Sequence, residues 1–246
     1  MKGTLSVAWK ETLSYFFAPM AYIVITAFLV MNGLIFYIIL TALSQPGSFS
    51  ASPMALFFGG TLFFWIFLII MVPAITMRLG AEEKKSGTLE TLLTAPVTDS
   101  GVVAGKYLAA MAVYVAAWLP TLIYVLVLSR YSDVDPGPVA AGYLGVLLVG
   151  LFFTSVGLFT TMVSRNQLVA AIIAFTILIV LLCVPLLSFM VTDVAVKGVL
   201  QYLSLWNLMQ NFAKGIVDTR ALVYLLSGTA LFLMLSYQAL QTRRWA

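Results

Sequence analysis

The residues able to do chemistry are few, and most lie close together. Residues 79–106 read LGAEEKKSGTLETLLTAPVTDSGVVAGK, with Glu82, Glu83, Glu90 and Asp99 interleaved with Lys84, Lys85 and Lys106. A Glu-Glu pair beside Lys-Lys makes a solvated face, or a face offered to a water-soluble partner. Within this stretch GVVAGKY (101–107) approaches a phosphate-binding loop. That loop needs G-x-x-x-x-G-K-[ST], so that its amides wrap phosphate and a Ser or Thr hydroxyl meets magnesium. Here the spacing is one residue short, Tyr107 stands where Ser or Thr belongs, and no strand precedes it, so ATP binding by this chain is not expected. The chain has no histidine, which removes histidine metal sites, Ser-His-Asp and Cys-His catalysis and histidine proton relays together. Its one cysteine, Cys183, cannot form an intrachain disulfide.

The elements that must position these residues are set by composition. Of 246 residues, 62% are hydrophobic and 9% charged, against about 25% charged in an average soluble domain. An all-α integral membrane protein is predicted. Six apolar runs, 19–43, 56–77, 107–129, 139–163, 168–191 and 221–241, are each long enough to cross about 30 Å of hydrocarbon at about 1.5 Å per residue. A lone segment in lipid must satisfy its own backbone, so each run is read as a helix. None holds Asp, Glu, Lys or Arg in its interior. No ionisable group is therefore expected to be buried, which disfavours a proton or ion relay and an intramembrane enzyme. The net charge of +4 is spread in short clusters between apolar runs and is not a nucleic-acid signal. With six spans both termini share one side, which carries Lys2, Lys10, Arg78, Lys84, Lys85, Lys106, Arg165, Arg243 and Arg244. The other side carries only Arg130, Lys197, Lys214 and Arg220. The excess places both termini and the charged loop in the cytoplasm.

Local patterns refine this plan. In the loop, Ser86 or Gly87 caps a short helix with Glu90 in its first turn, Leu89, Leu92 and Leu93 on one face, and Pro96 after it. Thr98 or Asp99 then caps a helix that runs into the third span. Such a short amphipathic helix lies on the lipid surface or enters a partner's groove. At the N-terminus (1–17), Leu5, Ala8, Trp9, Thr12, Leu13 and Phe16 share a face, Ser6, Lys10, Glu11 and Ser14 lie opposite, and Val7 is the exception. This reads as a helix in the membrane plane. Pro73 is a kink site in span two. Asn32 lies near the middle of span one, where it lines a pathway or bonds between helices. Gly142, Gly145, Gly150 and Gly157 in span four permit close packing. The external stretch 192–220 has no single apolar face, so two short helices dipping into the outer leaflet are predicted, with Trp206 and Asn207 near the bend.

RLGAEEKKSGTLETLLTAPVTDSGVVAGKYLAA (78–110) resembles the cytoplasmic loop of ABC type 2 export permeases, in which a mixed-charge stretch precedes S-G-T-L-E-x-L-L, a proline and a G-K entering the next span. FAKGIVDTR (212–220) and the terminal TRRW are similar to the gliding-motility (GldF-like) branch and its NosY-like relatives. The resemblance spans nearly the whole chain and implies a single permease domain of the bacterial cytoplasmic (inner) membrane, non-catalytic itself. It implies pairing with a second permease chain, the same or a GldG-like subunit with an external domain. It further implies docking on two copies of a cytoplasmic ATPase that carries ATP and magnesium. In that scheme Glu82, Glu83, Lys84, Lys85, Ser86, Gly87, Thr88, Leu89, Glu90, Leu92 and Leu93 form the docking segment, with 86–95 as its coupling helix. Asn32, Trp206 and Asn207 are pathway or gate candidates, and 192–220 is a re-entrant hairpin. The implied function is export driven by the ATPase. The alternative is transmission of force to an external partner without moving a substrate.

Overall fold

A computed structural model describes residues 2–44, 52–81, 98–190 and 192–242. Among them regular structure is helical throughout. We number the helices α1 (Lys2–Phe17), α2 (Pro19–Leu43), α3 (Leu62–Thr76), α4 (Asp99–Trp118), α5 (Leu122–Tyr131), α6 (Pro136–Val163), α7 (Gln167–Cys183), α8 (Val194–Tyr202), α9 (Leu205–Ala213) and α10 (Thr219–Gln241). Six helical segments have membrane-crossing length and apolarity: Pro19–Leu43, Leu62–Ala81, Asp99–Tyr131, Pro136–Val163, Gln167–Ser188 and Thr219–Gln241. The chain is a multi-pass membrane protein.

Three span boundaries depart from the apolar runs, each for a local reason. The second helix starts at Leu62 rather than 56, because Leu56–Gly60 forms a separate turn in which Gly59 takes φ +90°. The third starts at Asp99, eight residues before its apolar run. Thr98 caps it, its hydroxyl accepting from Gly101 N at 3.2 Å, and Gly101, Val102, Val103 and Gly105 are covered by protein instead of lipid. It then tightens into a 3₁₀ turn at Leu119–Thr121, around Pro120. The fifth tightens the same way over Val184–Phe189, where Pro185 has no N–H to offer the ladder.

At the centre stands α6, buried along most of its length. Lipid tails are as apolar as leucine, so helices associate by close packing and hydrogen bonds rather than by escape from water. The glycines of α6 show how. A Cβ on Gly150 would lie 2.2 Å from the Tyr114 ring, and one on Gly157 would lie 2.2 Å from Thr76 Oγ1. Gly142 and Gly145 receive Phe58 and Phe212 in the same way. Tyr114 completes its contact by donating its hydroxyl to Val146 O at 2.9 Å. Around this axis α3 and α4 are largely buried, whereas α2, α7 and α10 leave most of their surface open.

Candidate functional site

The two segments of chain that enter and leave the charged loop meet in one bonded block at one end of the spans. α3 continues as helix to Ala81. Its last turn is held by α6: the Thr161 hydroxyl oxygen accepts from Gly80 N at 3.1 Å and Ala81 N at 3.0 Å, and donates to Met77 O at 3.3 Å. The helix is interrupted at Met77 and resumes at Arg78, so these are first-turn amides, the kind for which a helix has no partner of its own.

From the other stem comes Lys106. Its Nζ donates to Leu79 O at 2.5 Å and to Glu11 Oε1 at 3.1 Å, with Lys106 0% and Glu11 13% exposed. One ammonium thus joins α1, the end of span two and the start of span three. The neighbouring Gly105 makes this possible. A Cβ there would sit 2.8 Å from Val7 Cγ1 and 3.0 Å from Thr4 O, so α1 lies on α4 at backbone contact distance. Tyr15 adds a second tie by donating its hydroxyl to Ile75 O at 2.6 Å. Arg78, Glu11, Ser14 and Tyr15 line a small polar cleft beside the block.

Two sequence expectations are corrected here. An ionisable group is buried after all: Lys106 sits between helices, and its cost is offset by an opposite charge and a carbonyl at hydrogen-bond distance. The packing face of α1 also differs from the predicted stripe. Val7, Glu11 and Tyr15, spaced i, i+4, i+8, face the bundle with Ala8, while Leu5, Trp9 and Leu13 are exposed. Val7 broke the predicted pattern because it belongs to the other face, the one opposite Gly105. The signal available in sequence was the one Glu of α1 and a Lys after Gly105 at the start of an apolar run.

Glu82, Glu83, Lys84, Lys85, Ser86, Gly87, Thr88, Leu89, Glu90, Leu92 and Leu93, together with Pro96, lie outside the described residues. The structure gives the loop's two anchors. Asn32 is buried in α2 and donates its Nδ2 to Phe28 O at 2.9 Å, within its own helix. Pro73 lies buried inside α3.

At the opposite ends of the spans the geometry is different. The stretch after span five forms two short helices, α8 and α9, with Ser204 between them capping α9 through Asn207 N at 3.2 Å. α9 buries Leu205, Leu208, Met209, Phe212 and Ala213, and Met209 fills the space that Gly59 leaves. α8 buries nothing. Trp206 stacks on the buried Trp65 at 6.2 Å between ring centroids. Trp206 and Asn207 both line a cavity of about 490 Å³ at these ends of spans two and five, with Lys197, Gln201 and Ser204.

Fold and site together define a polytopic helical protein whose polar loop is clamped to two spans at one membrane face. A family model described as ABC-2 family transporter protein matches residues 50–237. The chain belongs to that family and is a membrane component of an ABC transporter, a class that is generally non-catalytic, works with an ABC ATPase and assembles in pairs. No curated protein matches the chain significantly. The matched segment holds Leu79, Lys106 and Thr161, while Glu11 precedes it.

Proposed function

We propose that this chain is the membrane-spanning subunit of an ATP-driven exporter of the bacterial cytoplasmic membrane, with both termini and residues 82–97 on the ATPase side. Two copies of a soluble ATPase, carrying ATP and magnesium, supply the work, and a second permease chain completes the pathway. The observation that carries this reading is the bonded block. Both stems of the loop end in it, tied by Thr161 and Lys106, so a push on 82–97 reaches α3, α4 and α6 as one body instead of being absorbed by a slack hinge. The short Leu-faced helix expected at 86–95 is the surface pushed. The exposed Leu5, Trp9 and Leu13 stripe of α1 rests on lipid, with Trp9 at headgroup depth. On the far side α8 and α9 form the re-entrant element at the exit. No observation favours the force-transmitting alternative.

The test is co-purification. Leu92→Asp and Leu93→Asp each place a carboxylate on the apolar face of the loop helix. The permease is expected to insert normally and to lose its ATPase partner. Undiminished association in both variants would remove this helix from the interface.

A further inference from the structure

At the outer ends of spans two and five a cation, neutral hydrogen-bonding groups and apolar walls meet in one cavity. Its volume, about 490 Å³, lies within the range of roughly 300–1,000 Å³ typical of small-molecule sites. Its depth follows from the fifth span. Gln167–Ser188 has 22 residues, about 33 Å at 1.5 Å per residue, which is about the hydrocarbon thickness. The last turns of that helix line the cavity, so the cavity opens at headgroup level.

We propose that this cavity binds one anionic phospholipid of the outer leaflet, its phosphate on Lys197 and the upper part of a chain along Leu62 and Leu186. Charge complementarity selects the headgroup. Lys197 is exposed and makes no ion pair among the described residues, and no carboxylate lines the cavity. Its ammonium offers three donors, and the amides of Gln201 and Asn207 add neutral ones, a set that suits phosphate oxygens. The apolar walls select a lipid over a soluble phosphate. Leu62 and Leu186 line the same cavity and are each 58% exposed; an acyl chain covers them and a free phosphate does not. Trp206, at the cavity wall and anchored on Trp65, sits where indoles favour the membrane interface. A lysine on a bare surface attracts anionic lipid diffusely; one backed by a shaped cavity holds it at a defined place. The inference rests on the topology proposed above only in naming the leaflet, and its test uses neither ATP nor the ATPase.

The experiment is native mass spectrometry of the purified full chain with phosphatidylglycerol or phosphatidylcholine of identical chains. Wild type and Lys214→Gln, which alters another exposed lysine on the same side, are expected to retain phosphatidylglycerol about tenfold better, the size of one charge-assisted contact. Lys197→Gln should bring the ratio to about one. A second readout needs no variant. Cys183 lines the cavity and is exposed, so its modification by a maleimide should slow several-fold in phosphatidylglycerol nanodiscs relative to phosphatidylcholine. Equal retention of the two lipids, an unchanged ratio in Lys197→Gln, or a fall as large in Lys214→Gln overturns the proposal. Protection of Cys183 by soluble glycerol phosphate as strong as by the lipid assigns the cavity to a free phosphate and also overturns it.

Discussion

At the ends of the spans that carry the charged loop, Lys106 is fully buried and its charge is turned on Glu11 and Leu79 O. At the opposite ends, Lys197 is exposed beside an open cavity and makes no ion pair among the described residues. The same residue type serves opposite purposes. At the loop end, a lysine satisfied on two elements fixes the stems of the loop to each other and to α1. At the far end, a lysine without an ion-pair partner among the described residues remains available to something that arrives. The function proposed above would use this asymmetry: slack at the loop face would absorb a push, and a bonded far face would resist opening.

The largest expected effect tests the inner half of that contrast. Glu11→Leu takes the opposite charge away from the buried Lys106 ammonium, and removal of one partner from a buried pair costs about 3–5 kcal/mol. The unfolding midpoint of the detergent-purified chain should fall sharply. Lys106→Met added to it removes the buried charge as well, so the double variant should recover much of the loss, a coupling that independent sites do not show. Simple additivity of the two changes would mean that the pair does not hold the block together. Lys197→Gln, in the same assay, should leave the midpoint where it is.

Thr161→Val comes next. It removes the acceptor of Gly80 N and Ala81 N, and donors left unpaired in a buried site cost about 1–3 kcal/mol. Its more telling consequence is functional. In a complex reconstituted with the ATPase, hydrolysis should continue while output per ATP falls, because the end of span two is no longer tied to α6. Output falling only in proportion to hydrolysis would show that the tie is structural and transmits nothing.

At the outer face the counterpart is Gly59→Ala. A side chain at φ +90° costs about 1–2 kcal/mol, and the new Cβ would lie 2.6 Å from Met209 Cγ, so α9 must shift. Adding Met209→Ala should relieve the clash and leave the backbone part. No recovery in that pair would mean that Gly59 does not seat α9.

What could be read without coordinates follows from which signals are periodic. The six spans and the glycines of α6 were legible, since twenty apolar residues and small residues amid large ones mean the same thing in any membrane. The Thr98 cap was legible because capping is local. The bond from Lys106 to Glu11, 95 residues away, was not, because nothing local marks two charges as partners, and Glu11 had been assigned to the solvent side of α1. The break at Gly59 was not legible, since the side chain seated against it, Met209, lies 150 positions later. The cavity was half visible: Trp206 and Asn207 were picked out as polar and aromatic in an apolar stretch, while Lys197 was counted only as a charge for orientation.

The smallest expected effect sharpens the comparison within the outer face itself. α8 and α9 are equally long and adjoin at Ser204, yet α9 buries five of its side chains and α8 buries none. Backbone protection follows packing, since a helix with few buried contacts opens at little cost. Hydrogen exchange on the purified chain should therefore show amides of Val194–Tyr202 exchanging well before those of Leu205–Ala213. Lipid filling the cavity should slow α8 and leave α9 unchanged, because α8 buries no side chain of its own against the protein. Exchange at one common rate would mean that the two helices open as a single unit, and the outer face would then have to be treated as one rigid lid instead of a fixed plug carrying a mobile rim.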